Sequence, residues 1–217
     1  MNILDTTTDP RTISLRLMSF LAEHRLVLPF AEQALEQHHA VYQQLEHTHR
    51  ISDAAVEAWR AALAQRWDAE VTGLRLYKQI LRQLQERYGN DALHIQILAG
   101  VHTERSSTPN ELLALLRRTY AILKIEVPAI EAINDRIRQL HHACQLLEHA
   151  IERAQQTEQR RRHAVLDYRM AREATKRLNS TTQHRLEQHY GERYPVVCAD
   201  LFDQATTIST AAAFGPH

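Results

Sequence analysis

The chain has 217 residues, enough for one large domain or two small ones, and with Gly 5 and Pro 6 it is poor in both helix breakers. Lys+Arg 26 balance Asp+Glu 26, so no net field steers it towards nucleic acid or an anionic membrane. Two distant cysteines, Cys144 and Cys198, make no disulfide framework, and no window approaches the roughly 18 apolar residues of a membrane span. The opening MNILDTTTDPR is acidic and polar where a secretory signal is basic and then apolar, so a cytoplasmic chain is expected. Fourteen histidines stand beside three lysines, Lys78, Lys124 and Lys176. A genome rich in G and C accounts for that bias more simply than metal enrichment does.

The first helix is predicted to open at Asp9-Pro10, a capping residue followed by proline at the first helical position. Phe20-Leu21, Val27-Leu28, Ala34-Leu35 and Val41-Tyr42 recur seven apart. Because that phase survives Pro29, the spacing predicts a kink there rather than a stop. Ile51-Ser52-Asp53 reads as a tight reversal, with Ser52 as N-cap and Ile51 stapled to Val56. A second helix then carries Val56, Leu63, Trp67, Leu74, Tyr77, Leu81, Leu84 and Tyr88 on one stripe and stops at Gly89-Asn90. Residues 10–88 would thus form an antiparallel helical hairpin.

Residues 89–107 are expected to be an irregular connection. Leu93, Ile95 and Ile97 alternate with polar residues, and Tyr194 to Cys198 is the one run that could pair with them as a small ribbon. From Thr108 the pattern is clear. Thr108, Pro109 and Glu111 spell a capping box, and steps of four and three then connect Leu112, Leu116, Thr119, Leu123, Glu126, Ile130, Ile133, Ile137, Leu140, Cys144, Leu147, Ile151 and Ala154. Only Thr119 and Glu126 interrupt that apolar seam. Pro128 predicts a kink near Val127.

Residues 108–190 are a long helix or a helix pair. Either the chain turns between about Leu147 and Arg162 and closes a four-helix bundle, or a continuous coiled-coil helix projects and pairs with another chain. The bundle makes the helices comparable in length, although no turn residues mark the reversal. Gly191 should end the last helix, leaving 191–217 as a tail. The expected fold is all-α, a single helical domain of long antiparallel helices with a small irregular cap.

Chemistry is harder to find. His24, His38, Glu70, Glu126 and Cys144 fall on apolar seams, and inward histidines and carboxylates are how helical bundles hold metals. Glu36/His39 and Glu46/His49 have the Glu-x-x-His spacing but share one helix, so the two-helix arrangement of di-metal bundles is not met. Isolated polar residues setting helix register explain the set more simply. His141, Cys144 and Glu148 share a face, but Cys144 sits where a small core residue belongs. Trp59 could anchor a partner helix, and Arg160, Arg161 and Arg162 open a basic stretch running to Arg177 in which acids are interspersed. No Gly-rich phosphate loop, nucleophile elbow, H-E-x-x-H or paired C-x-x-C occurs, so neither catalytic residues nor a cofactor are assigned.

The sequence therefore favours a non-enzymatic interaction or scaffold protein with a protein partner or self-association. A metal-binding bundle (an oxidoreductase or metal store) using His24, His38, Glu70 and Glu126 is the alternative. Contact of the Arg160–Arg177 stretch with nucleic acid is disfavoured, and a peripheral membrane contact there is a lesser option.

Overall fold

A computed structural model of the chain describes residues 9–90, 108–126, 131–198 and 201, without the side chains of 125, 126 and 131–133. The fold is all-α, with no strand among the described residues. Helix α1 is Pro10–Glu23, α2 Ala31–Tyr88, α3 Pro109–Glu126 and α4 Glu131–Tyr190. A 3₁₀ turn, Gly191–Arg193, and a single-turn α5, Tyr194–Val197, follow. The chain forms two compact units. Met1–Asp53 and His163–His217 make the first, and Ala54–Arg162 the second.

The helix ends obey local chemistry. The Asp9 carboxylate accepts from the Arg11 backbone N–H at 3.3 Å, with Pro10 in the first turn of α1. At the start of α3 the Thr108 hydroxyl accepts from the Glu111 N–H (3.3 Å) and Glu111 accepts from the Thr108 N–H (2.6 Å). Helix α2 stops before Gly89, which takes φ +76, and α4 stops before Gly191, with φ +51. Both values lie where a side chain is strained.

The reversals, however, are not where the sequence suggested. Pro29 lies in a turn between two helices, not in a kinked rod. The Ser14 hydroxyl of α1 lies 3.0 Å from Nδ1 of His38 although the two are 24 residues apart, about 36 Å along a straight helix. Helix α1 ends at the His24 cap, and Pro29, which disfavours helical backbone at Leu28, keeps the intervening turn from joining α2. Ile51-Ser52-Asp53, expected to be that reversal, is interior to the 58 residues of α2. Ser52 is buried rather than capping, and Asp53 lies 2.8 Å from His49 one turn back. The expected 10–88 hairpin is replaced by an α1/α2 hairpin.

The same correction applies to the second half. Arg117 of α3 reaches Glu148 of α4 at 2.5 Å across 31 residues, which a rod merely kinked at Pro128 would hold about 46 Å apart. The Tyr120 and His141 rings meet at 5.2 Å, so the partner number falls as the first rises, and α3 and α4 are antiparallel. The expected kink itself, at 127–130, lies outside the described residues. So do 91–107, the N-terminal eight residues, and 199–200 and 202–217 of the tail. No turn interrupts 147–162, where α4 runs on as one helix. Tyr194–Val197 is helical, which removes the strand proposed to pair with Leu93–Ile97.

In the first unit the core joins Ile13, Leu17, Phe20 and Leu21 of α1 to Ala31 and Ala34 of α2 and Leu186 of α4. In the second, Tyr77, Ile80 and Leu84 of α2 pack with Leu112, Leu116 and Leu123 of α3 and Leu140, Leu147 and Ile151 of α4. Each is a three-helix arrangement. Helices α2 and α4 are antiparallel in the first unit, where His38 meets Thr182 and His49 meets Tyr168. In the second unit Gly73 lets α3 approach α2 closely, since a Cβ there would lie 2.8 Å from Cδ1 of Leu116.

Candidate interaction surface

The residues proposed from the sequence as metal ligands are not brought together. His24 caps the C-terminus of α1, its Nδ1 3.0 Å from the Phe20 carbonyl and its ring stacked on Phe20 at 4.1 Å. His38 is 0% exposed, held between the hydroxyls of Ser14 (3.0 Å) and Thr182 (2.8 Å). Burial, with the charge of neighbouring His39 second, lowers its pKa to about 4. Glu70 faces Arg66 at 2.9 Å, a contact with the distance of an ion pair but without hydrogen-bond alignment. It belongs to the other unit. The Glu126 side chain is outside the described residues. Among the described residues no three His, Cys, Asp or Glu side chains cluster as metal ligands would.

The other His-Cys pattern separates as well. Cys144 is buried in the core of the second unit, and burial pushes its thiol pKa up, against a smaller opposing effect of Arg117. His141 faces Tyr120 and Glu148 faces Arg117. A buried thiol whose pKa is raised is a packing residue rather than a nucleophile.

Of the proposed partner-contact residues, two meet each other. The Arg161 guanidinium lies 4.6 Å over the Trp59 ring and reaches Glu158 at 2.7 and 2.9 Å. Arg162 adds a third bond to Glu158 at 2.8 Å, and these bonds from Arg161 and Arg162 hold the Glu158 carboxyl down at about 2. Trp59 is therefore engaged within the second unit. Arg160 and Arg162 are exposed.

What the sequence missed is apolar surface. Trp67, expected in the core, is 64% exposed, with Val71 exposed one turn on. The buried side of α2 is instead set by Ala62, Gly73, Tyr77, Ile80 and Leu84. On α4, Leu166 (54%) and Met170 (64%) are exposed one turn apart, and Leu146 is 46% exposed. In the second unit a groove between α2 and α4 has a floor of Ala69, Leu76, Ala143, Leu146 and Ala150. Its two contiguous parts, which share Thr72, Ala143 and Leu146, hold about 400 and 270 Å³. The seven-residue spacing of Ala143 and Ala150 was the available signal, obscured by the stronger leucine seam beside it.

No helix among the described residues is long and apolar enough to cross a membrane. No family model, no curated protein and no solved structure matches the chain.

Proposed function

We propose that the chain is a non-enzymatic helical interaction or scaffold protein acting through protein–protein contacts. The observation that carries this reading is the placement of exposed large apolar side chains one turn apart on long helices: Trp67 with Val71, and Leu166 with Met170. A single exposed leucine is ordinary, but paired apolar residues on one helix face supply the contact area a partner helix uses. Three-helix units with buried apolar cores supply the support such faces need.

Photo-crosslinking residues placed at 67, 146, 166 and 170 of the full chain, in the cells that make it, test the reading. Discrete adducts with a polypeptide at one or more of these positions, absent at exposed polar controls such as Gln145 and Gln159, are expected. Adducts at none of them would overturn it. Nothing observed favours the metal-binding alternative, because His24, His38 and Glu70 are each engaged separately. Stoichiometric zinc, iron or manganese in elemental analysis of the purified protein would restore that alternative.

A further inference from the structure

We infer that the α2/α4 groove of the second unit is the seat of a fourth helix, an amphipathic helix of a partner protein whose apolar stripe is flanked by acidic residues. The inference rests on the interaction reading above and names the partner's chemistry. Ala69, Thr72 and Leu76 on α2, and Ala143, Leu146 and Ala150 on α4, are spaced by three and four. Both helices thus carry a second seam, whose Ala69 and Leu76 also pack against the core that includes α3. Small side chains on such a seam are the holes into which the knobs of a further helix fit. Leu146 is a large apolar side chain standing between Ala143 and Ala150, half exposed.

Charge decides the occupant. Arg75, Arg136 and Arg153 line the groove, and Lys78 stands beside Arg75 on the adjoining face of α2. Arg136 donates to the neutral amide of Gln139, and among the described residues none of the four cations makes an ion pair. Asp68 is the one carboxylate among the described lining residues. A second copy of the same groove would set cation against cation, whereas glutamates flanking a leucine stripe would meet the arginines. The apolar floor, for its part, offers nothing to a phosphate backbone, whose contacts are polar and charged.

The test uses the full chain and three probes: a synthetic helical peptide with a Leu/Ala heptad stripe flanked by glutamates, its lysine-flanked counterpart, and a duplex oligonucleotide. The Glu-flanked peptide is expected to bind, and the other two not. Leu146→Ser is expected to weaken binding about tenfold, as loss of a central apolar contact does. Arg75→Gln and Arg153→Gln should each weaken it roughly threefold, with the effect shrinking as salt rises. Helical circular dichroism of each variant confirms that exposed substitutions leave the fold intact. Equal binding of both peptides, preference for the oligonucleotide, no binding of the Glu-flanked peptide, or affinity unchanged by Leu146→Ser would each overturn the inference. If those results accompanied crosslinks at 166 and 170, the groove alone would be refuted. An absence of crosslinks anywhere would refute the interaction reading itself.

Discussion

Nε2 of His38 on α2 lies 2.8 Å from the hydroxyl of Thr182 on α4, in a position 0% exposed to solvent. Ser14 of α1 closes the other side of the ring, so one imidazole joins all three helices of the first unit. Burial holds its pKa at about 4 against an ordinary value of 6.5. Between those values the unfolded chain binds the proton and the folded chain does not, so stability is complete above about pH 6.5 and falls as the pH drops towards 4. The share due to His38 is up to about 3 kcal/mol. An NMR titration should find one imidazole still neutral at pH 5, and His38→Gln should flatten the acid limb of the stability profile. An ordinary pKa near 6.5 would contradict the buried placement.

Gly73 and Leu116 give a second prediction. Alanine in a helix is favoured over glycine by about 1 kcal/mol, so Gly73→Ala would ordinarily stabilise. Here the new Cβ would meet the buried Leu116 at 2.8 Å, and overpacking costs about 1–3 kcal/mol. The expected result in urea unfolding is no gain or a net loss. In a Leu116→Ala background, itself about 2–5 kcal/mol less stable, the same change should turn stabilising. Identical effects in both backgrounds would show that α2 and α3 do not touch there.

Both described cysteines are buried with raised thiol pKa values, Cys198 to about 11, chiefly through burial. A thiol-reactive reagent at pH 8 should modify neither at an appreciable rate in the folded protein, and both promptly in denaturant. Rapid stoichiometric labelling of Cys144 under native conditions would mean that the core of the second unit is open.

The reciprocal bonds between Thr108 and Glu111 start α3. Thr108→Ala should cost about 1 kcal/mol in urea unfolding, and Thr108→Ser much less. An unchanged midpoint for the alanine variant would place the start of α3 elsewhere.

The helical class, both glycine stops and the capping box were legible because each depends on a few adjacent residues. The seam was legible too. Leu112, Leu116, Thr119, Leu123, Leu140, Cys144, Leu147, Ile151 and Ala154 are all buried. Thr119 is accommodated by donating to the Leu115 carbonyl at 2.8 Å. Direction was not legible. A heptad phase that continues across Pro29 and Pro128 is equally consistent with a kinked helix and with two helices folded face to face, since both bury the same positions. Ser52-Asp53 resembles a cap by residue type, but no glycine or proline near it stops α2. The buried side of α2 was misjudged for a related reason. Hydrophobicity selects Trp67, whereas packing selects Ala62 and Gly73, whose small size lets helices approach. The groove left little trace in the sequence because alanine and threonine carry little hydrophobic signal.

Helices α3 and α4 form an antiparallel pair, and that fold-back packs α3 on the core of the second unit, so that no described residue of α3 lines the α2/α4 groove. Spin labels at exposed Arg118 and Gln145, read by pulsed dipolar spectroscopy on the full chain, measure this directly. Folded-back helices predict a narrow distribution well below about 30 Å. A distribution centred near 40 Å, the rise of a single straight helix between those positions, would contradict it.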